Sequence, residues 1–318
     1  MRDEGDAVTG TAGFGDRLAA AMGERGPLCV GIDPHASLLA AWGLSDDAQG
    51  LRRFSMTVVE ALAGRVAALK PQSAFFERHG SAGVAVLEEV VAACRAAGIL
   101  CIVDAKRGDI GSTMSGYAQA YLGDDSPLAG DAVTLSPYLG LGSLRPALDL
   151  ARSTGRGVFV LALTSNPEGA SVQGAVSDAR RSVAAGVVED LDAWNRECDF
   201  HHMAPGGVVV GATVGEAPRR LGVPLEAFHG PVLAPGVGAQ GAGAAQVRAV
   251  FAGIVGQVLP ATSRAVLEAG PGRAGLRAAA QRTLDALEPT LTGGNHGSTA
   301  PRDGDGGAML GSTPPAGS

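Results

Sequence analysis

Residues 98–113 read Gly-Ile-Leu-Cys-Ile-Val-Asp-Ala-Lys-Arg-Gly-Asp-Ile-Gly-Ser-Thr, an apolar run that gives way at once to charged residues. The apolar residues 99–103 predict the last part of a buried β-strand, because a short apolar run behind a glycine is typical of one. Alternate residues of an extended segment lie on the same face, so Asp104 and Lys106 are expected to point the same way.

A turn and a helix start are predicted directly after this strand. Gly108 allows the turn, Asp109 follows it, and Ser112 or Thr113 can cap the next helix. An ammonium group between two carboxylates at the end of a strand suits proton transfer. The same residues are also typical of a strand-end salt bridge followed by a helix cap, so this stretch alone leaves both interpretations open.

Lysine is rare in this chain. There are 25 Lys and Arg residues together, yet lysine occurs only at Lys70 and Lys106. Arginine keeps its proton in proteins, whereas lysine can release one. Both lysines follow apolar, strand-like runs, which indicates positions at which arginine cannot replace lysine.

Short apolar runs alternate with longer helical patterns along the chain, which is typical of a parallel sheet. Eight such units favour a closed (β/α)8 TIM barrel in a single domain over an open doubly wound sheet. The predicted strands are residues 28–32, 67–70, 99–103, 132–135, 158–163, 207–210, 232–233 and 258–260. The predicted helices include residues 51–65, 83–97, 113–122, 143–153, 176–197 and 273–287.

The barrel is predicted to occupy residues 14–289. Residues 1–13 are rich in Gly, Thr and Asp and are expected to form a flexible N-terminus. Residues 290–318 form a Gly/Ser/Pro-rich tail with little to bury, which predicts disorder.

Charge and composition exclude several classes of protein. The formal net charge is −7 and no basic tract occurs, so we expect neither nucleic-acid binding nor binding to an anionic membrane. No apolar run reaches membrane-spanning length, and the acidic N-terminal residues contain no signal core. The four cysteines show no Cys-x-x-Cys spacing, and the absence of this spacing is typical of reduced thiols. We therefore expect a cytoplasmic protein.

Charged and hydroxyl side chains recur where the predicted strands end. In a (β/α)8 barrel the carboxyl ends of the strands carry the chemistry, so these side chains are candidate site residues. They are Asp33, Lys70, Asp104, Lys106, Asp109, Ser136, Ser165 and Arg264.

A glycine-rich loop, residues 236–241 (Gly-Val-Gly-Ala-Gln-Gly), follows the seventh predicted strand. Its G-x-G-x-x-G pattern also occurs in dinucleotide-binding proteins, but those need an acidic residue about 20 positions further on. Residues 256–263 offer none. A phosphate cradle completed by Arg264 is favoured instead, because loops seven and eight hold phosphate in many barrels. A plain glycine-rich turn is the third interpretation.

No metal site is expected. His-Glu-x-x-His spacing is absent from the chain. Asp33 and Asp104 could act as ligands. Lys70 and Lys106, however, would add positive charge at the same open end of the barrel, and this charge opposes the binding of a divalent cation.

The segment from Asp104 to Ile110 matches the Asp-x-Lys-x-x-Asp signature of the orotidine 5′-phosphate decarboxylase family, and the chain resembles the longer bacterial branch of that family from about residue 14 to 287. Further matching segments are Gly31-Ile32-Asp33-Pro34, Lys70-Pro71-Gln72, Ser136-Pro137-Tyr138-Leu139-Gly140, Thr164-Ser165-Asn166-Pro167, Val210-Gly211-Ala212-Thr213 and residues 234–241.

The resemblance implies decarboxylation of orotidine 5′-phosphate to uridine 5′-phosphate and CO2, a step of de novo pyrimidine synthesis, without a metal or an organic cofactor. It implies that Lys106 donates the proton to C6 of the pyrimidine, with Asp104 and Asp109 beside it. It also implies a homodimer with shared sites, in which Asp109, Ile110 and Thr113 reach the site of the neighbouring subunit.

The remaining substrate contacts are likewise implied by the resemblance. Asp33 and Lys70 would hold the ribose hydroxyls and Ser165 the pyrimidine, while Gln240 and Arg264 would hold the phosphate.

Three alternatives stay open at this point. Metal-dependent sugar-phosphate decarboxylases and aldolases resemble the chain at the third strand, but they carry an acidic metal ligand where Lys70 stands. An NAD-binding oxidoreductase would need the acidic residue that is missing after the glycine-rich loop. A nucleotide-binding protein without catalytic activity is also compatible with the sequence.

Overall fold

A computed structural model describes residues 12–238 and 243–291 of the chain. The predicted flexible residues 1–11, the predicted disordered tail from 292 onwards, and Gln240 lie outside these residues. The last helix continues to Leu291, two residues past the predicted end of the barrel at 289.

The eight predicted strands all form, and they pair in parallel as one closed barrel in chain order. Closure is made between the first and last strands, where Cys29 lies opposite Ala261 and Val30 opposite Thr262. The fold is therefore the predicted (β/α)8 barrel. The strands are β1 (Cys29–Ile32), β2 (Ala68–Pro71), β3 (Leu100–Arg107), β4 (Ala132–Leu135), β5 (Gly157–Leu163), β6 (Gly206–Val210), β7 (Val232–Pro235) and β8 (Val258–Thr262).

The end of the third strand differs from the prediction. The sequence predicts a strand that stops at Val103, whereas β3 continues to Arg107 and therefore contains Asp104 and Lys106. The prediction is wrong here because charged residues usually mark the end of a strand. In this barrel, neighbouring strands supply hydrogen-bond partners, so the charged residues remain within β3.

Helices cover the outside of the barrel, joined by short 3₁₀ turns. The helices are α1 (Phe14–Arg25), α2 (Ala36–Ala41), α3 (Ala48–Leu62), α4 (Ser73–Glu77), α5 (Gly80–Ala96), α6 (Gly111–Leu122), α7 (Arg145–Ser153), α8 (Ala170–Gln173), α9 (Val183–Asn195), α10 (Ala217–Arg220), α11 (Ala244–Phe251), α12 (Arg264–Leu267) and α13 (Arg273–Leu291).

Five of the six predicted helix starts are wrong, and those at residues 51, 83 and 143 lie two or three residues from the observed starts at Ala48, Gly80 and Arg145. The helix expected from residue 176 begins only at Val183, because the Ser182 side chain caps it by accepting the N–H of Ala185. The helix expected from Thr113 begins at Gly111, with Ile110 as N-cap and no capping side chain. Neither Ser112 nor Thr113 is therefore the cap.

The apolar core has two layers. The larger one lies between the strands and the outer helices, and the smaller one fills the barrel interior. Helix α1 contributes Phe14 and Leu18 to the interior layer, and Phe14 makes an edge-to-face contact with Phe159 of β5 at 5.8 Å between ring centroids. A Cβ atom on Gly157 would lie 2.1 Å from the Phe14 ring, so only glycine leaves room for this ring.

Polar contacts hold α1 across the amino-terminal end of the barrel. Arg17 forms an ion pair with Asp131 at 2.5 Å and donates to the Gly155 carbonyl at 3.2 Å, just before β4 and β5 respectively. Asp16 accepts the backbone N–H groups of residues 201–203. Helix α1 therefore closes this end of the barrel, and the opposite end is left open for a site. Among the described helices, none has the length and apolar character that crossing a membrane requires.

Replacing Phe14 with Ala should lower the free energy of unfolding by about 3–5 kcal/mol, because it removes a fully buried ring from the barrel interior. Urea unfolding followed by circular dichroism measures the change. Val176→Ala is the control, since Val176 is 71% exposed and should change stability by less than about 0.5 kcal/mol. A loss below about 1 kcal/mol for Phe14→Ala would contradict the assigned role of α1.

Candidate active site

One buried carboxylate, that of Asp104, lies at the centre of the open end of the barrel. Its Oδ1 accepts hydrogen bonds from Lys106 Nζ at 2.5 Å and from Thr134 Oγ1 at 2.8 Å. Its Oδ2 accepts from Lys70 Nζ at 2.6 Å. The two lysines of the chain therefore bind the same carboxylate, one on each oxygen.

Three neighbouring strands bring these groups together. Lys70 lies in β2, Asp104 in β3 and Thr134 in β4, and these strands are adjacent in the barrel. Beyond the end of the regular ladder, Gln72 still pairs with Asp104, and its side-chain Nε2 donates to the Asp104 carbonyl at 3.2 Å. The carboxylate is thus fixed through both its main chain and its side chain.

The backbone of Lys106 is in the left-handed region, with φ of +47°. Between Val103 and Arg107 the register of β3 against β4 shifts, since four residues of β3 span two of β4. Thr134 Oγ1 accepts the Lys106 backbone N–H at 2.9 Å while it donates to Asp104. A residue other than glycine in the left-handed region costs about 1–3 kcal/mol in conformational free energy, and this conformation persists only when its surroundings hold it. The bulge therefore specifically sets the direction of Lys106.

The pKa values of Asp104 and Lys70 are both shifted by their surroundings. Burial alone would raise the pKa of Asp104, but the charges of Lys70 and Lys106 outweigh it and hold that pKa well below its usual range. Burial alone would lower the pKa of Lys70, but Asp104 and then Asp33 keep it above its usual value. Asp104 and Lys70 are therefore both charged at neutral pH.

A cavity of about 770 Å³ opens above this cluster, large enough for a nucleotide-sized ligand. Five residues expected from the sequence line it: Asp33, Lys70, Asp104, Lys106 and Arg264. Asp33 Oδ1 is buried and has no hydrogen-bond partner within the described chain. The Arg264 side chain is exposed and likewise has no protein partner among the described residues, so both groups are available to a ligand.

Four other expected site residues do not line the cavity of their own chain. Asp109 is half-buried and its Oδ1 accepts the N–H of Ile110 at 2.8 Å, while Ile110 itself is 62% exposed. Thr113 and Ser165 are also exposed. Of the remaining expected residues, Ser136 is half-buried and does not line the cavity either, and Gln240 lies outside the described residues.

Several polar groups that line the cavity were not expected from the sequence. Thr134 is one, although a hydroxyl within an otherwise apolar four-residue strand was a signal that could have identified it. Gln72 is another, and it was quoted only as part of a motif. Thr262 Oγ1 is buried without a partner in the described chain, and nothing in the local pattern distinguishes it from a core threonine.

A metal centre has no support in the side-chain arrangement. Within residues 12–238 and 243–291, no three His, Cys, Asp or Glu side chains are grouped so that they could hold a metal ion. Of the two carboxylates that could act as ligands, Asp33 and Asp104, the second is instead bound by two ammonium groups.

Comparison with known proteins identifies the family of the chain. Residues 26–279 match the model of the "Orotidine 5'-phosphate decarboxylase / HUMPS family". The chain belongs to this family. Among curated family proteins, it is 58% identical to an orotidine 5'-phosphate decarboxylase of Salinispora arenicola and 59% identical to one of Streptomyces coelicolor. Each alignment spans 88% of this chain, and it covers 99% of the Salinispora protein and 98% of the Streptomyces protein.

A solved structure from the same family has the same fold. It is a crystal structure from Streptomyces avermitilis, provisionally assigned as an orotidine 5'-phosphate decarboxylase. It matches with a TM-score of 0.84 and 55% identity, over 91% of this chain and all of that one.

The pH dependence of stability should report the Asp104 cluster. Because the folded-state pKa of Asp104 is depressed, its charge contributes stability at pH values above the unfolded pKa of about 4, and this contribution is lost as pH falls through the lower folded pKa. Asp104→Asn should therefore destabilise the protein at pH 7, and the difference from the wild type should shrink below about pH 4. Urea unfolding from pH 7 to pH 2 measures both curves. A difference that stays constant over this range would mean that Asp104 is not selectively stabilised in its charged form.

Proposed function

We propose that the protein is an orotidine 5′-phosphate decarboxylase that acts without a metal ion. The observation that carries this proposal is the Asp104 carboxylate held between the Lys70 and Lys106 ammonium groups at the floor of the cavity. Membership of the family supports the substrate, and the arrangement of charges supports the chemistry.

The reaction breaks the bond between C6 of the pyrimidine and its carboxylate. The electron pair stays on C6, CO2 leaves, and a proton must then be supplied to give uridine 5′-phosphate. Lys106 is the proton donor in this proposal, and its ammonium also stabilises the negative charge that develops on C6. Solvent then returns a proton to Lys106.

Asp104 has two roles in this reaction. It orients the Lys106 ammonium through the hydrogen bond of 2.5 Å. It also faces the carboxylate of the substrate, and two such charges 4 Å apart repel by about 4 kcal/mol at an effective dielectric constant of 20. This repulsion disappears when CO2 leaves.

The proposed substrate contacts follow the lining of the cavity. Asp33 and Lys70 hold the ribose hydroxyls, which is supported by the lack of a hydrogen-bond partner for Asp33 Oδ1 among the described residues. Arg264, together with Gln240, holds the phosphate, which is supported by the place of Arg264 in the lining of the cavity. Ser165 holds the pyrimidine, and it follows directly after Thr164, which lines the cavity.

We further propose a homodimer whose sites are shared between subunits. Asp109, Ile110 and Thr113 do not line their own cavity, which agrees with a role in the cavity of the partner. Three apolar side chains at the ends of the adjacent strands β3 and β4 are exposed: Ile110 by 62%, Tyr138 by 78% and Leu139 by 52%. An exposed apolar surface of this kind favours burial in an interface with a second subunit. A two-fold dimer would bury this surface on both chains.

A metal-dependent sugar-phosphate enzyme fits the site less well. Lys70 lies where those enzymes carry an acidic ligand, and its ammonium is 2.6 Å from Asp104. A divalent cation at Asp104 would have to displace two positive charges.

Turnover is tested by following the loss of orotidine 5′-phosphate absorbance with the purified protein in chelator-containing buffer. The wild type should react, and Lys106→Arg should lose about 10³-fold or more in kcat, because arginine keeps the charge but does not release its proton. Affinity for uridine 5′-phosphate should fall much less. Near-normal turnover by Lys106→Arg would exclude Lys106 as proton donor. Turnover that begins only when a divalent ion is added would favour the metal-dependent enzyme.

Shared sites are tested by mixing two inactive homodimers, Lys106→Ala and Asp109→Ala. In a mixed dimer one site collects both substitutions and the other collects neither. With random pairing half of the dimers are mixed, so about a quarter of wild-type activity should return. Mass-labelled chains verify that subunits have exchanged.

The matched control mixes Lys106→Ala with Asp104→Ala. In the proposed arrangement, one chain supplies both residues to a site. Each site of the mixed dimer therefore lacks one of them, and no activity should return. Recovery in the control, or no recovery in the first mixture after complete exchange, would contradict the shared-site arrangement.

A further inference from the structure

Arg107, the residue after Lys106, does not line the cavity, but its side chain is held by several groups beside it. Its Nη2 forms an ion pair with Glu77 Oε1 at the end of α4 and donates to the Tyr121 hydroxyl of α6 at 3.2 Å. Glu77 Oε1 also accepts from Ser73 Oγ at 2.5 Å, and Ser73 is fully buried. The guanidinium therefore joins the end of β3 to the helices that follow β2 and β3.

Two tyrosine rings of α6 complete this enclosure. The guanidinium carbon of Arg107 lies 5.6 Å from the ring centroids of both Tyr117 and Tyr121, within the range of a cation–π contact. Burial opposes the charge of Arg107, but Tyr121 and Glu77 keep the pKa of its guanidinium above the ordinary value. The side chain is thus permanently charged and fixed in one place.

The same guanidinium also binds the main chain on the other side of Lys106. Its Nη1 donates to the Ala105 carbonyl at 3.2 Å, so a side chain from position 107 holds the peptide group that precedes residue 106. The Arg107 carbonyl in turn accepts the N–H of Ser136 at 2.8 Å. The peptide group that precedes the left-handed Lys106 is therefore held by the Arg107 side chain, and the peptide group that follows Arg107 is held by Ser136.

Lys106 depends on its backbone for its direction. Its side chain is 43% exposed, whereas the Lys70 side chain is 9% exposed and confined by its surroundings. Apart from the Asp104 carboxylate, Lys106 Nζ has no hydrogen-bond partner in the described part of the chain. A long and exposed side chain stays aimed only if the main chain that carries it is rigid.

We propose that Arg107 is a positioning residue for Lys106, which keeps the left-handed backbone of residue 106 in place and so aims the Lys106 ammonium at the reacting carbon. Only one part of this proposal rests on the proposed function, namely the role of the Lys106 ammonium after it has been positioned. Arg107 itself does not line the cavity. Its planar fork suits this task because it reaches Glu77, Tyr121 and the Ala105 carbonyl at once.

The test compares Arg107→Met with Arg156→Met. Arg156 is the matched control, because it also donates to two backbone carbonyls, those of Gly130 at 3.0 Å and Leu122 at 3.1 Å, and to one acid, Asp124. It stands immediately before β5, at the closed end of the barrel. Both variants lose an arginine with similar contacts, but only one of the two arginines adjoins Lys106.

Arg107→Met should lower kcat by about 10²-fold, the effect expected when a reacting group is displaced by about 1 Å. KM and affinity for uridine 5′-phosphate should change by less than about threefold, because the other substrate contacts stay in place. Arg156→Met should keep kcat within about twofold of the wild type even if its stability falls as much.

A spectroscopic measurement reports the position of Lys106 without turnover. Since the chain contains only Lys70 and Lys106, lysine labelled with ¹³C at Cε gives two side-chain environments in NMR spectra. The Lys106 resonance should shift in Arg107→Met, the Lys70 resonance should stay, and neither should shift in Arg156→Met. If Arg107→Met does not fold, Tyr121→Phe and Glu77→Gln each remove one contact and are judged by the same criteria.

The outcomes separate this proposal from the proposed function. An unshifted Lys106 resonance with unchanged kcat, or equal losses of kcat in Arg107→Met and Arg156→Met, would overturn the positioning role. A wild type without decarboxylase activity, in which Arg107→Met still displaces the Lys106 resonance alone, would refute the proposed function and leave the positioning role intact.

Discussion

The open end of this barrel depends on the buried Asp104 carboxylate and the two ammonium groups that bind it. A buried charge is strongly unfavourable unless it is paired and hydrogen-bonded, and here each carboxylate oxygen has an ammonium donor. The partners come from β2, β3 and β4, so the charges are satisfied only when these strands have their observed register. The same interaction that prepares the chemistry therefore also fixes the local alignment of the sheet.

The barrel uses its lysines and its arginines for different purposes. At the closed end, arginines such as Arg17 and Arg156 donate to backbone carbonyls and acids and so tie loops together. At the open end, both lysines of the chain converge on one carboxylate. This division follows the chemistry of the two side chains, because a forked, permanently charged group suits structural ties and an ammonium suits proton transfer.

The sequence was sufficient for the features that depend on local pattern. All eight strands were predicted, because each is a short apolar run bounded by turn residues. The side chains of Asp104 and Lys106 meet as expected, but Lys106 has a left-handed backbone, so the alternation of an extended chain is not the reason. The left-handed Lys106 and the role of Thr134 were not predicted, because both arise from a register shift between β3 and β4 that no local pattern encodes. The late start of α9 depends on one serine cap, and helical periodicity alone does not locate it. The positions of Asp109, Ile110 and Thr113 outside their own cavity are also beyond local pattern, because contacts outside the segment set them.

The scarcity of lysine also decides how the protein can be chemically modified. Apart from the α-amino group, its primary amines are those of Lys70 and Lys106, and only the second has a side chain with substantial exposure. Reagents for dyes, crosslinks or solid supports that react with lysine would therefore modify the cavity rather than the outer surface. The four cysteines are all buried, so thiol chemistry offers no surface handle either. A covalent attachment that spares the cavity requires an engineered residue, and the closed end of the barrel beside α1 is the position most remote from it.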